Sequence, residues 1–539
     1  MRYPKWLLAL AAITLVGVAV FALTRGRSSG GDPHRLIVGL DSEIERLDPL
    51  TIKNPKTFIV SWQIYEGLLG LSADGKVVPK IADKWTSGDN RIWRFHVRDG
   101  VFFHASKIFG AGLKGRQVKA DDVVSSYTAF CGANAYPAFL LTDILEGCSD
   151  YNSGKAGSVS GIRKIDDMTV EMTLIKPEPF FLNRLTSPWI AIFPREALDP
   201  ANKDSWGLVE AVGTGPFQLV RSSASEVELK RNPNYWDRSS NGSINDVTYR
   251  VIKNDPARLA AIHDGSIDLT LAPTSLYPSI FDKTGAPKAE LLARLQLIKY
   301  ATFNSHMIGF NVLKMPDVNL RRAISHGIDR QRIVEALFYK QAQVNGGTVP
   351  AGMNGYVSAI PIDSLYNSDL AKQELAQSGY KGEPIELLVH DQAGSEQIGE
   401  LVQSQLKEIG VNITLTKVDF NTALGRIVKG DVPMFSMYFD YVFSSPELVL
   451  DNMFASSKRP VPNFWQFSDP TIDARLNDLR SLDHVEAMKQ SAAIEAAVVG
   501  EAPAAFLFQL TPVALERRGL RPVQVNAHGY FDFANLAPN

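Results

Sequence analysis

Little in this chain points to covalent chemistry. It has only two cysteines in 539 residues, Cys131 and Cys148, at a spacing that fits neither a CxxC redox pair nor a cysteine-based metal site. The nine histidines stand singly, so the sequence carries no local zinc-ligand cluster. HExxH, the GxSxG nucleophile elbow and the Walker-type phosphate loop are missing. Acidic pairs such as Asp121-Asp122 and Asp166-Asp167 read as a helix start and a turn rather than as acid and base. The chain is therefore not read as an enzyme, and no catalytic residue, metal or cofactor is assigned to it. Surplus charge is also lacking. A net charge of −2 provides no basic footprint for nucleic acid and no acidic tail. Internal repeats and low-complexity segments are absent as well.

What is present is a soluble, globular composition, 45% apolar and 21% charged, which rules out disordered and collagen-like classes. The length suggests about three domains. Residues 1–33 stand apart. Arg2 and Lys5 precede an uncharged stretch from Trp6 to Leu23, which ends with the small-residue pattern Val20-Phe21-Ala22 and is followed by Arg25, Arg27 and a Ser-Gly linker. This is the layout of a secretory signal. The stretch is also close to the shortest apolar run that spans a bilayer, about 17 residues, so an uncleaved membrane anchor is the alternative. Either reading exports the rest of the chain. In an oxidising compartment Cys131 and Cys148 are expected to form a structural disulfide.

Beyond the linker, Trp93, Phe95 and Val97 alternate with charged residues, and Val170, Met172 and Leu174 repeat the pattern, as half-buried strands do. Leu320, Ala323, Ile324 and Ile328 share one helical face, and Asp329 can cap a further helix. Ile398 to Ile409 forms an apolar stripe stopped by Gly410, after which Val411, Ile413 and Leu415 alternate. Helix, glycine and strand in succession are the grammar of an α/β domain.

Two aromatic clusters bear on binding. In FSMYFDYVFSSPE (Phe435 to Glu447), Asp440 lies among Tyr438, Phe439, Tyr441 and Phe443. A carboxylate in an aromatic wall is costly alone and would be compensated by a cationic ligand group; a core strand whose aspartate caps a turn is the equal alternative. NFWQF (Asn463 to Phe467) is either a second cleft wall or core.

A dozen segments in order then resemble the large periplasmic binding proteins of the peptide/nickel class, extracellular solute-binding protein family 5. They include LDP (Leu47 to Pro49), QIYEGLL (Gln63 to Leu69), PKIADKW (Pro79 to Trp85), WRFHVRDGVFFH (Trp93 to His104) and VKADDVVSSY (Val118 to Tyr127). GTGPF (Gly213 to Phe217), RNPNYWD (Arg231 to Asp237), GSIDL (Gly265 to Leu269), LRRAISHGIDRQRIV (Leu320 to Val334), VPAGMNGY (Val349 to Tyr356) and ELAQSGY (Glu374 to Tyr380) continue the series. The resemblance implies an α/β, two-lobed binding protein with an extra inserted domain. The first lobe is expected at 34–70, 206–298 and 505–539, the insertion at 71–205 and the second lobe at 299–504, with hinges near 206 and 505. It further implies a monomeric periplasmic component of an ABC importer that closes on a peptide or peptide-like solute and delivers it to inner-membrane permease subunits. A membrane-tethered sensor, or a binder of a metal chelate, opine or sugar, is the alternative. Asp440 matches the position at which oligopeptide binders hold the ligand's α-ammonium. The basic residue that relatives place nearby for the carboxylate end is replaced by Met434, with His390 or His306 as substitutes. The residues read as ligand-binding are Asp440, Tyr438, Tyr441, Asn463, Trp465 and His306.

Overall fold

The computed structural model describes residues 32–539 apart from 73–74, 111–113, 354–355, 357–359 and 442–443. The N-terminal signal or anchor segment therefore lies outside the described residues, as do Phe443 and part of the VPAGMNGY segment. Among the described residues no helix is long and apolar enough to cross a membrane.

Two large sheets form the lobes. The first has seven strands, in the order Leu295–Lys299, Val513–Arg517, Leu269–Leu271, Arg35–Leu40, Asp246–Val251, Glu226–Arg231 and Phe217–Ser222. Its centre is parallel: Arg35–Leu40 runs alongside both Asp246–Val251 and Leu269–Leu271. The chain leaves Arg35–Leu40 at Asp41 and reaches the helix Pro55–Ser61, whose N-cap Asn54 accepts a hydrogen bond from the backbone N–H of Lys56 at 2.9 Å. That cap fixes where Lys56 emerges.

The second sheet has six strands, in the order Ala342–Val344, Ala504–Leu510, Asn304–Phe310, Met434–Asp440, Ile385–His390 and Ile413–Val418. Here the helix–glycine–strand reading holds. Helix Ser395–Ile409 ends at Gly410, whose φ of 96° is left-handed, and Ile413–Val418 follows. Asp329 caps helix Arg330–Phe338 by accepting from the Arg332 N–H at 3.0 Å.

The inserted segment carries a four-stranded antiparallel sheet, Ala82–Ser87, Ile92–Val97, Thr169–Thr173 and Ile162–Lys164. The two alternating stretches of the sequence turn out to be neighbours. Trp93 lies opposite Met172 and Phe95 opposite Val170, which stacks their apolar sides into one core face. Helix Ala120–Phe130 packs against it, and Cys131 at its end is bonded to Cys148.

The chain passes between the two sheets at residues 300–303 and at Thr511-Pro512. The passages lie side by side. Lys299 pairs with Val513 in the first sheet, and the Asn304 side chain both donates to Leu510 O (3.0 Å) and accepts from Leu510 N–H (2.8 Å) in the second. The expected boundary and hinge at 505 thus fall inside the strand Ala504–Leu510, which pairs with Asn304–Phe310 in the second sheet. Pro512, lacking an N–H, marks the break between two apolar strands that read as one run in the sequence.

Candidate functional site

The strand Met434–Asp440 is buried through Met437 and emerges at Asp440. The cause lies in the pairing. Ile385–His390 runs parallel beside it only as far as Leu388 opposite Phe435, so the final residues have no neighbour on that side. Asp440 also stands at the carboxyl end of parallel strands, where open α/β sheets present their binding crevices.

Asp440 keeps an exposed surface, and among the described residues no group gives its carboxylate a hydrogen bond or ion pair. Protein nevertheless surrounds it. Desolvation holds its pKa above the usual carboxylate value, opposed by the positive charge of Lys56. The charge of Asp440 also reaches three phenols. Tyr438 is pushed up to about 12 by burial and by the charge of Asp440. Tyr530 is raised by burial and then by Asp440, and Tyr300 by burial, Tyr277 and Asp440. Lys56 itself is held at 2.9 Å by Asp41, at the end of the first lobe's central strand. Asp440 and Tyr438 come from the second sheet, Lys56 and Asp41 from the first, Tyr300 from a passage between them, and Tyr530 from the C-terminal segment. Lys56, Tyr300 and Tyr530 were invisible to sequence reasoning, because no local pattern links them to residue 440.

The other expected binding residues lie deeper. His306 stands opposite Tyr438 in the sheet and stacks on it at 5.5 Å and on Phe508 at 4.7 Å. Burial, with His390 nearby, lowers its pKa to about 3, so it is neutral at physiological pH and supports Tyr438 from behind. It offers no cation to a ligand carboxylate. Tyr441 is buried, with its hydroxyl 2.8 Å from that of Thr348. Asn463 is fully buried and its side chain holds its own loop, donating to the carbonyls of Ala455 and Phe467 and accepting from the Phe467 N–H. Trp465 is also fully buried, packed on Phe439 and Phe454. The NFWQF cluster is thus core that backs the Asp440 strand: Asn463 is engaged within its own loop, while Trp465 Nε1 and Gln466 Nε2 are buried without a hydrogen-bond partner. Met434 is core as well.

The segment that carries the four-stranded sheet meets the segment of the six-stranded sheet along a seam. Asn183 donates to the Ser444 hydroxyl at 3.1 Å, and the Thr186 hydroxyl lies 3.2 Å from it. Lys458 pairs with Asp143 and Arg480 with Glu178, each at 2.6 Å. Beneath the Arg480 pair, Glu447 is 3% exposed, and neither of its carboxyl oxygens has a hydrogen-bond partner in the protein. It borders a cavity of 20 Å³ walled by Glu178 and Phe180 on one side of the seam and by Asp451, Leu476 and Arg480 on the other. Burial, reinforced by Glu178, pushes its carboxyl up to about 8.

The architecture and sequence have clear relatives. The periplasmic oligopeptide-binding protein OppA of Salmonella typhimurium is 26% identical over 496 residues, covering 88% of this chain and 87% of that protein. Heme-binding protein A of Haemophilus influenzae is 25% identical, covering 79% of this chain and 78% of the relative. The periplasmic binding protein DppA from Helicobacter pylori, solved in complex with the peptide STSA, superposes with a TM-score of 0.74 at 20% identity, covering 94% of this chain and 98% of that one. The profile of the bacterial extracellular solute-binding proteins, family 5, matches residues 76–460. The chain belongs to this family of two-lobed α/β solute-binding proteins.

Proposed function

We propose that the chain is the exported binding component of an ABC importer, and that it captures a peptide or other amine-bearing solute between its lobes with the ligand's ammonium at Asp440. One observation carries this reading: an exposed carboxylate with no partner among the described residues, at the end of the strand Met434–Asp440, whose charge reaches Tyr438 of the same strand, Tyr300 of a passage between the sheets and Tyr530 of the C-terminal segment. Reduced solvation strengthens its attraction to a cation and penalises the unpaired charge, so an ammonium is the natural complement. The relatives' names, which span oligopeptide and heme binding, leave the ligand to be decided by the site itself.

Ligand capture would swing the lobes about the paired passages at 300–303 and 511–512. The permease partner follows from the family. For the far end of the ligand, the position at which the family resemblance expects a cation is taken by Met434, which is core, and His306 is buried and neutral, which supports a site that does not need a free carboxylate. Calorimetry with trialanine, its amide and its N-acetyl form tests the assignment. Asp440→Asn should weaken the two free amines about tenfold or more and leave the acetylated form alone. Equal affinity of parent and variant for the free amines sinks the anchor, and strict dependence on a free carboxylate sinks the open far end.

A further inference from the structure

The seam beside Glu447 joins parts of the molecule that are tied down unequally. The four-stranded-sheet segment is bonded backbone to backbone to the chain that follows the first lobe's central strand. The Tyr136 N–H donates to Leu50 O at 2.8 Å and the Ile192 N–H to Glu66 O at 2.9 Å. That stretch is in turn fixed on the seven-stranded sheet, where the Phe217 N–H donates to Gln63 O and the Tyr249 hydroxyl to Ile59 O, each at 3.0 Å. Across the seam, by contrast, the bonds of Ser444, Lys458 and Arg480 described above all run through side chains. A swing of the lobes about 300–303 and 511–512, as proposed above, therefore carries the four-stranded-sheet segment with the first lobe and parts the seam.

Glu447 lies in that joint. It belongs to helix Pro446–Phe454, which the chain enters soon after the strand of Asp440. Both its carboxyl oxygens are buried and unpartnered, a place where the neutral acid loses far less than the anion on leaving water. The surrounding charges are spent on one another. Arg480 holds Glu178 at 2.6 Å and reaches Asp451 at 3.4 Å, and buried Arg184 also acts on Glu178. Lys458 is paired with Asp143. His484, packed on Phe180 at 5.2 Å, is lowered by burial and is uncharged above neutrality. Glu178 adds a like charge, and the Ser445 hydroxyl and Glu447's own N–H oppose it without good hydrogen-bond geometry.

We infer that closure is coupled to a proton: the closed seam holds Glu447 as the neutral acid, the parted seam returns it to water as the carboxylate, and ligand capture takes up one proton from solution. This rests on the closure proposed above and adds a regulation to it. Between the ordinary 4.5 of an exposed glutamate and the value of about 8 in the joint, the closed form carries a proton that the open form lacks. Closure is therefore favoured fully at the lower end of that window and progressively less as the pH climbs through it. Affinity should fall by up to about tenfold per pH unit and level off above the window.

Calorimetry of trialanine binding at about pH 7, in two buffers of different ionisation enthalpy, counts the protons exchanged. The parent should take up about 0.9 proton more than Glu447→Gln, which keeps the shape and cannot titrate. Groups that titrate in both proteins, Asp440 and the ligand's own amine included, cancel in that difference. Glu447→Met serves the same purpose should the amide upset folding. Equal proton uptake in parent and variant overturns the inference. Failure of trialanine to bind either protein sinks the amine reading instead, and the ligand-free protein then decides. Small-angle scattering between about pH 5 and about pH 9 should show a radius of gyration that grows in the parent and not in the variant. An equal response in both overturns the coupling.

Discussion

Raising the pH should loosen the seam between the four-stranded-sheet segment and the six-stranded-sheet segment through Glu447. In the folded protein this carboxyl is pushed from its ordinary 4.5 up to about 8 by burial, with Glu178 adding to the effect and the nearby Ser445 hydroxyl and its own N–H opposing it without reaching good hydrogen-bond geometry. The raised value means that the folded protein holds a proton which the unfolded chain releases near 4.5. The group's favourable contribution is therefore complete below that value and is lost as the pH climbs through about 8. At 1.36 kcal/mol per pH unit the loss across this window is about 4–5 kcal/mol, an upper figure because water entering the small cavity would relieve part of it. Glu447→Gln keeps the shape and removes the titration. Urea unfolding of both proteins at intervals from pH 5 to about pH 9 gives a difference curve free of the similarly raised Glu495 and Glu516, which titrate in both. The variant should gain on the parent steadily with pH. Parallel curves would refute the reasoning, since an unpartnered buried carboxyl must report its own ionisation.

Arg480→Met removes the ion pair at buried Glu178, which keeps only the nearby charge of Arg184, and should cost about 2 kcal/mol, less than a fully buried pair because the Arg480 side chain keeps 26% of its surface in water; chemical denaturation measures it. Replacing Cys131 and Cys148 together by serine opens a loop with a sequence separation of 17 and should remove about 3 kcal/mol of stability while leaving affinity intact; a drop in affinity without a drop in stability would place the bridge at the binding site. Small-angle scattering should show a smaller radius of gyration at ligand saturation, and an unchanged radius would exclude closure.

The fold was legible wherever local pattern and packing agree. The alternating Trp93–Val97 and Val170–Leu174 stretches and the Gly410 stop state their own structure, because period and cap chemistry are local. The passage between the sheets was misplaced by a few residues, since Ala504–Leu510 and Val513–Arg517 are both apolar strands and only Thr511-Pro512 divides them. Asp440 stood out in its aromatic surround, yet Trp465 and Asn463 stood out equally and face inward. Composition reports that aromatics cluster, and only the sheet's pairing decides which cluster borders open space. Lys56, Tyr300 and Tyr530 come from segments hundreds of residues apart, and their convergence on Asp440 exists only once the lobes have folded.

The side-by-side passages at 300–303 and 511–512 restrict how the lobes can move. A single strand between two bodies is a swivel that permits rotation in every sense. Two strands clamped to one another by Asn304 and Leu510 resist twist and shear and leave one soft axis, as paired pins do in a door. If the lobes swing as proposed, opening would follow an arc rather than a wandering path, and the gap would grow with distance from the pins. Any partner that grips both lobes would read occupancy as a single distance between two fixed patches.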